Sequence, residues 1–208
     1  MSFFSSIPEA PEPEETREPY RRPPSIFGPS PDELGRPISD SFVLARSDSA
    51  AVLVQTIRVH STGCFFELQW IVRRTTESAS EWERGGRTEF GGSGRHFEQD
   101  GLLVGIEFSD GAVARTNDPF DRREPGAGPR LVAAGDSSSG GDSERRHGDR
   151  GLWLLGLPPL PTMELVCAWP RYGIPETRRT VDTGAIHEAA GHVAWVWPED
   201  ADLAEMEL

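Results

Sequence analysis

The sequence contains no lysine; all 21 of its basic residues are arginine. Biased codon use in a high-GC genome is the simplest reading of that absence. Cysteine is almost missing too, with only Cys64 and Cys167 present. No two cysteines lie close enough in sequence to start a zinc site. Each sits on the apolar side of an alternating run, so buried, reduced thiols are expected, with a disulfide between two core strands as the alternative. No stretch approaches the roughly 20 apolar residues that span a bilayer as a helix. The opening MSFFSSIPEAPEPEE lacks the basic region and long apolar run of a secretory signal, and a cytoplasmic protein is expected.

Clustered positive charge is also lacking. The net charge is −13; residues 1–40 hold eight acids against four arginines and residues 199–208 five acids and no base, so the two ends carry −9 of it. Phosphate neutralisation needs clustered cations, so neither nucleic acid nor an anionic membrane surface is an expected partner. Hydrophobic residues make up 36% of the 208, and the shortfall lies in Pro-, Gly- and acid-rich stretches. Such stretches bury too little apolar surface to offset their ordering entropy. They set the expected layout: a mobile Pro-rich arm over 1–38, one domain over 39–198 with flexible loops at 75–101 and 135–150, and an acidic tail over 199–208.

What is present inside the domain alternates with period two. Met163, Leu165, Cys167 and Trp169 share one face, as do Cys64, Phe66, Leu68, Trp70 and Val72. That is the pattern of strands with one face in a core. Val52 to His60 changes parity midway, which predicts a β-bulge near Gln55–Thr56. Ser61-Thr62-Gly63 and Asp110-Gly111 supply hairpin turns, and Leu131–Ala134 is a short strand candidate. Pro170 ends the strand that carries Trp169, and Tyr172-Gly173-Ile174-Pro175 turns the chain into a second extended run. Asp182 or Thr183 caps a short helix with Ile186, Ala189, Ala190 and Val193 on one face. There is no βαβ rhythm and no internal repeat. The expected fold is mainly β: an antiparallel β-sandwich, Ig-like or jelly-roll-like, with one short C-terminal helix, and a closed barrel as the runner-up.

Three phrases carry a resemblance: Val43 to Asp48, Glu107 to Gly111, and above all Cys167 to Thr177, with its Trp-Pro-x-x-Gly-Ile-x-Glu-Thr run. They resemble an uncharacterised family of small actinobacterial proteins, over residues 26–198. The resemblance implies a common fold and assigns neither an activity nor a catalytic residue.

The chemistry-bearing residues form no recognised motif. His187 and His192 are five apart, about 140° around a helix, where a zinc protease needs four. His60, His96 and His147 have no metal-ligand spacing. Gly91-Gly92-Ser93-Gly94-Arg95 lacks the Lys-Ser/Thr ending of a phosphate loop and the second glycine of a nucleophile elbow. Asp118 and Asp121 are loop acids whose ordinary role is solvation, with acid–base work the alternative. Trp70 and Trp169 read as core. Trp153, Trp195 and Trp197 read as edge or end residues that pack over the rim of the sandwich; clustered with Arg171, Tyr172 and Arg178 they would instead make an aromatic–arginine surface, the composition of interface hot spots. The expected function is a non-enzymatic protein-interaction or structural module without metal or cofactor. Its candidate partner-binding residues are Trp169, Arg171, Tyr172, Glu176, Arg178, Trp195 and Trp197. A small-ligand or carbohydrate-binding sandwich is one alternative. A hydrolase assembled in space around His60 or His96 and an acid is the other.

Overall fold

The alternating run from Cys64 to Val72 forms the middle of a long hairpin, in which β4 (Ala50–His60) pairs antiparallel with β5 (Gly63–Arg73). Its five inward side chains are all buried. The register slips between Val54 and Thr56, which places the bulge where the parity change puts it. A computed structural model describes residues 28–38, 41–90, 101–116, 129–135 and 138–197, with only the backbone of 85–90. The expected arm over 1–27, the glycine-rich run 91–100 with His96, the acids Asp118 and Asp121, and the tail 199–208 lie outside the described residues.

The other strands are β1 (Glu33–Leu34), β2 (Arg36–Pro37), β3 (Phe42–Arg46), β6 (Leu103–Phe108), β7 (Val113–Arg115), β8 (Arg130–Ala133), β9 (Ser139–Gly141), β10 (Arg145–Leu155), β11 (Thr162–Trp169), β12 (Ile174–Asp182) and β13 (Ala194–Trp195). Seven strands form one sheet in the order β2-β4-β5-β10-β8, with β3 on β4 and β9 on β10; four form the second, β12-β11-β6-β7. Among the described residues every strand pairing is antiparallel. The inner faces share one hydrophobic core, and Trp70 of β5 meets Trp169 of β11 edge-to-face at 6.1 Å. Such pairs add about 0.5–1.5 kcal/mol beyond their buried area. The expected β-sandwich is the fold found, and it does not close into a barrel.

Helix α2 (Thr183–Ala190) follows β12, capped by Asp182, whose carboxylate accepts the Gly184 N–H at 2.8 Å. Ile186 carries its apolar face fully into the core. There is also a second helix, α1 (Ala79–Phe90), inside the stretch expected to be a loop at 75–101. A reciprocal cap starts it: Glu81 accepts the Ser78 N–H at 2.8 Å, and Ser78 Oγ accepts the Glu81 N–H at 3.3 Å. Trp82, one turn in, is buried against the core.

The stretch expected to be a loop at 135–150 is likewise corrected. Asp142 Oδ1 accepts the N–H groups of Glu144 and Arg145, both at 2.8 Å, and closes a β9–β10 hairpin. Arg145 to Arg150 then pairs with Arg73 to Leu68. Gly148 is needed there, because a Cβ would collide with the Trp70 ring.

The arm boundary moves as well. Residues 28–38, assigned to a mobile arm by composition, are part of the fold. They run from beside Ala134 to the edge of the seven-stranded sheet, where β2 pairs with Arg58 and Val59. On the way β1 pairs with β13, and Val196 N–H donates to Asp32 O at 2.8 Å. This strap lies on the outer face of the larger sheet, the face that carries Arg58, His60, Phe65 and Trp153. Trp153, expected at an edge, is 0% exposed in a central strand.

Candidate functional site

On β11 the inward residues Met163, Leu165, Cys167 and Trp169 alternate with Thr162, Glu164, Val166 and Ala168, which face outward. Register places Val166 between Gly105 and Arg178, and Glu164 between Glu107 and Thr180. Glu107 and Glu164 are thus directly opposite on neighbouring strands, an unfavourable placement for like charges. Two contacts offset it. Arg178 Nη1 donates to Glu107 Oε2 at 2.6 Å, and Thr180 Oγ1 donates to Glu164 Oε1 at 2.6 Å. Arg178 Nε also donates to Glu176 Oε1 at 3.0 Å. The bonds to Glu107 and Glu176 raise the guanidinium above its ordinary pKa. The Arg178 side chain remains 46% exposed and that of Glu107 40%.

At the end of this ladder a single 3₁₀ turn, Pro170–Tyr172, leads to Gly173 at φ +66°. Tyr172 packs edge-to-face on Trp169 at 4.6 Å, and the Arg171 guanidinium lies 6.0 Å from the Tyr172 ring. Trp169 is 4% exposed, so it belongs to the core and not to a contact surface. Four positions of the run Trp169 to Thr177 serve the fold: Trp169 and Ile174 fill the core, Pro170 opens the turn, and Gly173 takes the left-handed conformation that closes it.

Trp195 and Trp197 do not join this corner. They follow α2, which starts where Thr162 pairs with Asp182, at the opposite end of the β11–β12 ladder. Trp195 sits opposite Glu33 in the β1–β13 ribbon, and Trp197 is 57% exposed. Trp153 is buried under the strap. The aromatic–arginine surface expected from sequence therefore divides between two places.

Sequence reasoning missed the acid that the strap brings to His60. Glu33 Oε2 lies 3.2 Å from His60 Nδ1, and Glu33 Oε1 accepts the Ser61 N–H at 2.8 Å. Both side chains are buried, and His60 packs edge-to-face on Trp153 at 5.7 Å. Burial alone would raise the Glu33 carboxyl; the bonds from His60 and Ser61 outweigh it and hold the pKa below the ordinary value. Among the described residues His60 Nε2 has no hydrogen-bond partner. It looks toward Gly35, where a Cβ would collide with the ring. The pair is thus an acid and an imidazole with no nucleophile bonded to the second nitrogen.

Among the described residues no group of three or more His, Cys, Asp and Glu is placed to hold a metal ion. His187 Nε2 donates to Pro158 O and His192 Nδ1 to Glu188 O, each at 2.8 Å. Cys64 and Cys167 are free and buried; burial pushes their thiols up to about 12 and about 11. No described helix is long and apolar enough to cross a membrane. No protein-family model, curated protein or solved structure matches the chain.

Proposed function

We propose that the protein is a non-enzymatic interaction module that presents the outer face of its four-stranded sheet to a protein partner. One observation carries this reading. Arg178 is held between Glu107 and Glu176, yet 46% of its side chain stays exposed. Exposed ion pairs of this kind add little to stability. A guanidinium already fixed in place loses less freedom on binding, and arginine is enriched among interface hot spots. The strap covers the His60 and Trp153 end of the opposite outer face, and the outer face of the four-stranded sheet is the one offered. Glu164 extends its charge pattern, and the strap end with Trp197 lies apart from it.

The test compares tagged full-length protein with an Arg178→Glu variant in affinity capture. A partner retained by the wild type and lost by the variant, at unchanged melting temperature, supports the reading. Equal retention by both, or no specific partner at all, overturns it.

A further inference from the structure

The two stretches that turned out to be folded, α1 and the β9–β10 hairpin, enclose a cleft of about 420 Å³. That volume suits a small ligand. Arg74 and Arg146 line it. Arg146 is buried, with its guanidinium 4.0 Å from the centroid of the Trp82 ring. Trp82 is itself anchored, donating from Nε1 to Asp142 O at 2.8 Å. The Arg74 fork is oriented by two carbonyls: Nε donates to Glu77 O at 2.7 Å and Nη1 to Ser143 O at 3.4 Å. Its carboxylate neighbour, Glu144, is a loose one at 3.7 Å and is 71% exposed.

The third wall is the glycine-rich edge strand β9. Asp142 N–H donates to Arg145 O and Asp149 N–H to Ser138 O. The alternation of an antiparallel ladder then turns the Gly140 amide toward β10 and the Ser139 and Gly141 amides toward the open edge. Two acids also line the cleft. Asp142 already spends its carboxylate on the Glu144 and Arg145 amides, bonds that lower its pKa. Glu83, on α1, is the other.

We propose that this cleft binds a small-molecule oxyanion, a phosphate monoester or a carboxylate, through Arg74 and Arg146, with the β9 edge amides as further donors. With Nε on Glu77 O and Nη1 on Ser143 O, the Arg74 guanidinium is fixed so that Nη2 serves either anion as a charge-assisted donor. Trp82 and Ala79 offer an apolar side for the body of the ligand. The proposal is independent of the sheet-face reading, because it shares no residue with it.

The experiment titrates ¹⁵N-labelled full-length protein with inorganic phosphate and, separately, with acetate. Sodium chloride at matched ionic strength is the control. The Trp82 indole N–H and the Ser139 and Gly141 amides are followed. A saturable shift with phosphate or acetate and not with chloride is expected, and the tighter anion identifies the ligand class. Arg74→Gln should weaken binding about tenfold, the equivalent of about 1.4 kcal/mol. That variant also removes the bonds to Glu77 and Ser143. Ser139→Glu keeps them, places a carboxylate at the cleft edge, and should abolish the shift. Glu83→Gln should tighten binding about twofold by removing a like charge from the cleft. Shifts equal to those with chloride, or insensitive to Arg74→Gln and Ser139→Glu, overturn the proposal.

Discussion

Replacing Glu33 by alanine should free the strap from the larger sheet. The carboxylate accepts bonds from His60 at 3.2 Å and from the Ser61 amide at 2.8 Å. Removing it leaves both ring nitrogens of a buried histidine without a partner, because Nε2 has none already. An orphaned buried polar group costs about 1–3 kcal/mol. The Ser61 amide is only part-buried and lies at the low end of that range. The expected loss is therefore about 2–4 kcal/mol, or roughly 5–15 °C in melting temperature for a domain of this size. Urea unfolding of the full chain measures the loss, and amide exchange at Ser61 locates it. The pH dependence has a fixed sign. The folded carboxyl titrates below its ordinary value of 4.5. Its stabilisation is thus complete above that value and disappears as pH falls through the folded-state pKa. The gap between wild type and Glu33→Ala should shrink on acidification. Equal stability near neutral pH, or a gap that widens in acid, would refute this account of the strap.

Three further outcomes are expected. Ser78→Ala removes the reciprocal cap of α1 and should cost about 1 kcal/mol, visible as faster amide exchange in the first turn of that helix. Trp169→Ala empties a core position between Trp70 and Tyr172 and should cost about 3–5 kcal/mol in urea unfolding; a contact residue on the surface would cost far less. Cys64 and Cys167 should resist alkylation in the native protein at pH 8 and react on unfolding, since burial raises both thiols to about 12 and about 11. Rapid labelling of either cysteine in the folded protein would contradict their placement.

The parts of the fold that were legible in the sequence are those whose pattern is local. Period-two runs at Cys64–Val72 and Met163–Trp169, the Asp110-Gly111 turn, the parity change at Gln55 and the Asp182 cap each report a neighbour's geometry. The parts that were not legible depend on distant partners. β9 is serine and glycine and the first half of β10 reads Arg-Arg-His-Gly-Asp-Arg, and they are strands because β5 offers β10 a ladder and β10 offers one to β9. β1 and β13 are two residues each and exist through one another. For α1 a local signal was present, Ser78 three residues before Glu81, and the glycine content around it outweighed that signal. Trp153 also carried a sign: Leu152-Trp153-Leu154-Leu155 is a continuous apolar run, the mark of a strand covered on both faces. The candidate site divided in the same way. Glu176 and Arg178 were named as candidates from the strand that carries them. Glu107, Glu33 and the Trp82–Arg146 stack were missed because only the fold brings them to their partners.

Site-specific photo-cross-linking tests the sheet-face reading most directly. A photoreactive residue is placed at position 180, beside Arg178 on the open face, or at position 53, on the outer face of the larger sheet. Position 180 should cross-link one discrete protein, the product should vanish when Arg178→Glu is added, and position 53 should yield none. Cross-linking at position 53 alone, the same product with and without Arg178→Glu, or no product from position 180 would contradict it.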